Sequence, residues 1–191
     1  MIELKSVLIV FASRFGSTDE IAHEIAEELE KHEIITEMLN LKDGESTPSL
    51  DEFDGILVGS GVKMGRWTKE AFSFLKQNHN SLNNKVLGLF VSSGEAANPK
   101  THDGARNNYL EKIMERTGVK ADMAEAFGGI FDLSSNSNYS FLEKKIILRL
   151  AKSVKEGIIM QEGKVNDFRN WQLIRNWATD FANLVKTYKK K

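Results

Sequence analysis

The sequence contains no cysteine in its 191 residues. That absence excludes disulfides, iron–sulfur clusters, thiolate zinc sites and a cysteine nucleophile. Long hydrophobic runs are missing as well. The longest, residues 7–12 (VLIVFA), has six residues, far below the ~18 needed to cross a bilayer. Nor is there an excess of charge of either sign: 26 Lys and Arg face 27 Asp and Glu, a net charge of −1. Such a balance disfavours a nucleic-acid binder that relies on overall basic charge, and an acidic protein that docks on basic partners. His23, His32, His79 and His102 lack metal-ligand spacing, and no Asp/Glu cluster completes a site, so no metal is expected. The opening Met-Ile-Glu is not a basic signal-peptide start; the expected location is the cytoplasm, with any membrane contact confined to its surface.

What is present reads as one folded domain spanning residues 1–191, with something extra. Hydrophobic residues make up 41% and charged ones 28%, too apolar for disorder. The short apolar, β-branched run at 7–11 and the runs at 55–58 and 86–91 are expected to be buried strands. A weaker strand is expected at 34–41 and another at 124–131, the latter with Gly128 and Gly129 inside it. Between them fall stretches with apolar residues every three or four positions, at 18–31, 68–77 and 101–117, the last stopped by Gly118. Strand and helix alternating in this rhythm imply an α/β fold, a parallel sheet covered on both faces.

The last third breaks the rhythm. A polar Ser/Asn loop at 132–138 is followed by an amphipathic helix at 141–154, a connector at 157–163 and a closing helix at 168–188. One helix suffices to close the sheet, so residues 132–165 read as an insertion. Its helix carries Lys144, Lys145, Arg149, Lys152 and Lys155 beside the stripe Leu142, Ile146, Leu150 and Val154. A basic amphipathic helix suits an anionic membrane surface; the same stripe would also serve a core contact or a homodimer interface. Lys189, Lys190 and Lys191 read as a solvated tail.

In open parallel sheets ligands bind beyond the carboxyl ends of the strands. Three loops stand there. Ser13, Arg14, Phe15, Gly16, Ser17 and Thr18 join the first strand to the first helix. Three hydroxyls, a glycine and the free amides of a helix N-terminus make an anion site suited to phosphate, though Ser and Thr there would equally serve as helix caps. No Lys stands where a nucleotide P-loop needs one. The second loop begins with Gly59, Ser60, Gly61 and Val62 and ends at Trp67; the third begins with Ser92, Ser93, Gly94 and Glu95 and ends at Pro99.

Residues 7–26, VLIVFASRFGSTDEIAHEIA, resemble the opening of a flavodoxin-like domain. The resemblance implies a three-layer sandwich with a five-stranded sheet in the order 2-1-3-4-5. It also implies FMN as cofactor, its phosphate on Ser13, Gly16, Ser17 and Thr18. Phe15 departs from the commonest loop of that family, which has a hydroxyl there. The resemblance places the flavin ring against Gly59, Ser60, Gly61 and Val62, with Trp67 either stacked on it or packed under the next helix. Ser92, Ser93, Gly94 and Glu95 take the place of the loop that meets the polar end of the ring, without the Tyr or Trp of many small electron carriers.

GSGVKMGRW, GGIFDLSSNSNYSFLEKKII and NWQLIRNWATDFA are together similar to the flavodoxin-type protoporphyrinogen oxidases that pass electrons to menaquinone. These share a helical insertion before the closing helix. The resemblance implies an FMN-dependent oxidoreductase with a small-molecule donor and a quinone-like acceptor. The alternatives are an electron-carrying flavodoxin and a binding module with a degenerate site. No general acid or base is assigned, since the flavin carries the redox work. His102 and Arg106, near the third loop, would be surface charges or would meet a substrate carboxylate.

Overall fold

A computed structural model describes residues 4–137, 139–153 and 159–188. The apolar runs form the sheet. β1 (Ser6–Ala12), β3 (Gly55–Gly61) and β4 (Val86–Ser92) lie at its centre; β2 (Ile35–Asn40) and β5 (Met123–Phe127) form the edges. All four pairings are parallel, in the order β2-β1-β3-β4-β5. β3 and β4 are buried along their whole length, as strands covered on both faces must be.

Helices cover both faces. α1 (Ser17–Lys31) and the closing helix α5 (Trp171–Thr187) pack on one. There Phe90, Phe127, Trp177 and Phe181 form an aromatic cluster, with Phe90 and Trp177 centroids 6.1 Å apart. α2 (Lys69–Leu82) and α3 cover the other. α3 is composite: α-helical at His102–Arg106 and Lys112–Thr117, with a π-turn at Asn107–Glu111 between them. Gly118, at φ +79°, ends it in the left-handed conformation that glycine adopts without strain.

The structure corrects two boundaries. The single strand expected at 124–131 is two. After β5 the chain leaves the sheet at Gly128 and Gly129, and β6 (Ile130–Asp132) pairs antiparallel with β7 (Val165–Asp167) as a separate ribbon. The cause is distant in sequence: a Cβ on Gly128 would lie 2.1 Å from the Phe168 carbonyl oxygen, and the Phe168 amide donates to the Gly129 carbonyl at 3.1 Å. The closing helix correspondingly starts at Trp171 instead of 168, capped by Asn170, whose side chain accepts from the Leu173 amide at 3.0 Å.

The insertion hangs from this ribbon, and α4 (Phe141–Ser153) is its helix. The stripe does not fill a core at Leu142 and Ile146, which are 70% and 57% exposed. Val154, Lys155 and Gly157, the side chains of Leu150 and Lys152, and residues 189–191 lie outside what is described. Among the described residues no helix is long and apolar enough to cross a membrane.

Candidate functional site

The carboxyl ends of β1, β3 and β4 bring the three loops together. In the first, the Ser13 hydroxyl accepts from the Gly16 amide at 2.9 Å, and Gly16 turns the chain at φ +91° into α1. No side chain caps α1, and the amides of its first turn have no carbonyl four residues back within the helix. Thr18 is 2% exposed, and its hydroxyl has no hydrogen-bond partner among the described residues.

Ser17 is the junction. Its hydroxyl shares a hydrogen bond with that of Ser92 at 2.8 Å and accepts from the Ile130 amide at 3.3 Å. The second and third loops join where the Val62 amide donates to the Ser92 carbonyl at 2.9 Å. Glycines line the approach. A Cβ on Gly61 would sit 3.2 Å from Thr18 Oγ1, one on Gly129 2.9 Å from Ser92 Oγ, and one on Gly94 2.6 Å from the Phe131 ring.

The resulting cleft is lined by Ser13, Arg14, Phe15, Ser17, Thr18, Gly61, Val62, Ser92, Ser93 and Gly94. The other residues singled out in the loops take other places. Gly59 makes room for Phe90, whose ring would lie 2.1 Å from its Cβ. Buried Ser60 accepts from the Thr68 amide at 2.9 Å and steadies the start of α2. Trp67 is turned inward, 7% exposed; its indole N–H donates to the Tyr109 carbonyl at 2.7 Å, so it packs between helices instead of facing the cleft. Glu95 accepts from the Tyr109 hydroxyl, and burial together with that carboxylate pushes the phenol well above its ordinary range. His102 bonds the Ala126 carbonyl at 2.9 Å and lies 3.2 Å from Glu125, a tie between α3 and β5.

Four further residues line the cleft: Gly129, Ile130, Phe131 and Tyr139. The adjacent glycines at 128 and 129 were the available signal for the first three. For Tyr139 no local signal exists, because its partner is Phe15, with ring centroids 4.3 Å apart. Burial, then the Glu143 and Asp132 carboxylates, push the Tyr139 phenol up to about 12. Next to this pair, Lys63 donates to Glu143 at 2.5 Å and lies 5.2 Å from the Phe15 ring centroid. The Lys63 hydrogen bond, helped by the Ser140 amide and hydroxyl, lowers the Glu143 carboxyl to about 2. The insertion is thus fastened over the loops, and the cleft beneath holds about 50 Å3 of free volume. Among the described residues no group of His, Asp and Glu is placed to hold a metal.

Residues 8–157 match the flavodoxin domain family, and the chain belongs to that family. Over 178 residues it is 23% identical to protoporphyrinogen IX dehydrogenase (quinone) of Escherichia coli strain K12, covering 93% of this chain and 95% of the relative. The rubredoxin oxygen:oxidoreductase of Desulfovibrio gigas superposes with a TM-score of 0.53 and 16% identity over 95% of this chain, which spans only 36% of that protein. A Fusobacterium nucleatum flavodoxin bound to flavin mononucleotide gives a TM-score of 0.50 and 19% identity, covering 96% of this chain and 98% of its own. At such identities the structural likeness carries the fold alone.

Proposed function

We propose that this chain is an FMN-dependent oxidoreductase that takes electrons from a reduced tetrapyrrole and passes them to a quinone. The observation that carries the reading is the uncapped N-terminus of α1 beside the unpartnered Thr18 hydroxyl, in a cleft that glycines keep open to backbone approach. Neutral and dipolar donors converging there fit a phosphate. Ser13, Ser17 and Thr18 would hold the phosphate of FMN, and Gly61, Val62 and residues 92–94 would border its ring system. FMN, when bound, supplies the redox chemistry; the chain supplies position and exclusion of water. The Phe15–Tyr139 pair lines this cleft, so admitting the flavin ring would require the two rings to part.

The oxidoreductase reading is supported by similarity along nearly the whole chain, insertion included, to a protoporphyrinogen IX dehydrogenase (quinone). α4 adds support. Phe141, Leu142 and Ile146 are exposed, and Lys145 Nζ lies 4.3 Å from the Phe141 ring centroid. An apolar stripe flanked by Lys144, Lys145 and Arg149 suits the surface of an anionic membrane, where a quinone resides. The test is turnover. Purified protein is loaded with FMN and given reduced protoporphyrinogen with a menaquinone analogue, or, separately, a flavodoxin reductase with a protein acceptor. Porphyrin formation coupled to quinone reduction is expected. Electron transfer only between protein partners would replace this reading with that of a carrier.

A further inference from the structure

A groove of about 760 Å3 lies between the turn after β3 and α3, within the ~300–1,000 Å3 range of small-molecule pockets. Met64 and Phe72 give it apolar walls, with the edges of buried Trp67 and Ile113 behind them. Its rim is basic: Arg14, Lys63, Arg66, Lys69, Lys112 and Arg116 line it, and no Asp or Glu does. In a chain whose net charge is −1, that is a marked local separation of sign. Only Lys63 is paired, to Glu143; the other five form no ion pair among the described residues. Uncompensated cations around a concavity focus a positive potential that draws an anionic occupant.

The groove is also joined to the cleft. Arg14 lines both. Tyr109, in the π-turn, lines the groove, accepts from Trp67 through its carbonyl and donates through its hydroxyl to Glu95, the neighbour of Gly94. Such single-turn π irregularities inside α-helices concentrate at functional sites.

We propose that this groove seats the acidic side chains of the electron donor, an amphipathic organic molecule bearing two carboxylates. Its apolar body lies along Met64 and Phe72 and its carboxylates reach Arg66, Lys69, Lys112 and Arg116. A concavity with apolar walls and a charged rim fits a small amphiphile better than the convex face of an acidic protein. The proposal rests on the reading of the chain as an FMN-dependent oxidoreductase acting on a tetrapyrrole.

The test is a binding titration that does not need turnover. Mesoporphyrin IX, an oxidised dicarboxylic tetrapyrrole, and its dimethyl ester are titrated by tryptophan fluorescence into FMN-loaded protein and into apoprotein. The variant carries Arg66→Gln, Lys69→Gln, Lys112→Gln and Arg116→Gln, all at exposed positions. The expected result is at least about tenfold weaker dicarboxylate binding by the variant, with affinity for the ester and for FMN unchanged. A second variant that exchanges Arg and Lys at the four positions restores binding. A Gln variant that binds the dicarboxylate like the parent overturns the proposal. So does a parent that binds the ester as tightly as the diacid, or one that binds polyglutamate but neither porphyrin. Failure of the protein to take up FMN would instead remove the underlying reading, and the apoprotein titration would still report on the groove.

Discussion

The ring of Phe15, on the loop after β1, lies against the ring of Tyr139 in the insertion, tilted by 36°. This contact brings together the loop after β1 and a segment from the far side of the ribbon, and it narrows the cleft that both line. Aromatic pairs are worth about 0.5–1.5 kcal/mol beyond the area they bury. Tyr139→Ala is therefore expected to speed FMN association by about two- to tenfold, the rate equivalent of that energy. Stopped-flow quenching of flavin fluorescence measures it; an unchanged or slower rate would show that the pair does not gate entry.

The fastening beside it responds to acid. Glu143 titrates at about 2 in the folded protein instead of 4.5, chiefly because Lys63 donates to it. A depressed carboxyl favours the closed arrangement in full above about pH 4.5 and loses that contribution as pH falls through 2. The near-UV circular dichroism of the aromatic pair should weaken across that window in the parent. Glu143→Gln should lower the signal at neutral pH and flatten its acid response. Identical profiles for parent and variant would remove Glu143 from the latch.

In the loop after β1, Thr18→Val removes the unpartnered hydroxyl and Ser13→Ala releases the Gly16 amide. Each change should weaken FMN binding by about 1–3 kcal/mol, measured by titrating apoprotein with FMN. A double variant with parental affinity would place the phosphate elsewhere.

Gly59 and Gly61 stand two positions apart and should fail in different ways. A methyl at Gly59 overlaps the Phe90 ring, an overpacking that costs about 1–3 kcal/mol or more, so Gly59→Ala should lower the Tm. A methyl at Gly61 presses on Thr18 Oγ1; Gly61→Ala should weaken FMN binding with little change in Tm. Thermal melts and FMN titrations on both variants decide the matter, and a reversed pattern would contradict the packing described.

Leu142→Ser with Ile146→Ser should leave the Tm within about 2 °C, because exposed substitutions cost little. Sedimentation with vesicles containing anionic lipid should fall severalfold. If the parent sediments no better than the double variant, the stripe serves another surface. A parental dimer that the double variant dissolves would identify that surface as a homodimer interface.

Much of the frame was legible because its signals are local. Residues 7–11 and 86–91 are short runs without a charged or polar side chain, and the central β1 and β4 are indeed buried from both faces. Gly118 stopped a helix by its own φ. The hydroxyls at Ser13, Ser17 and Thr18 could be placed because a strand and a helix flank them directly. What escaped was set by distant partners. Gly128 and Gly129 look like the middle of a strand until the Phe168 backbone is brought against them. For Trp67 the sequence leaves stacking and packing under the next helix both open, and the Tyr109 carbonyl that the π-turn presents to its indole decides for packing. Tyr139 carries no mark of its own, since its role begins only when the insertion folds back on Phe15.

Ser17 Oγ sets an order of events. One oxygen bonds Ser92 and Ile130, so the pocket wall exists only after β5 has joined the sheet and the chain has turned at Gly129. A ribosome that has delivered β1, α1, β3 and β4 has made the loop after β1 but not the chamber around it. With FMN in the proposed cleft, cofactor uptake would be deferred to the late stages of synthesis, and a truncated or mispaired chain would stay colourless. Yellow colour in a preparation would then count completed molecules.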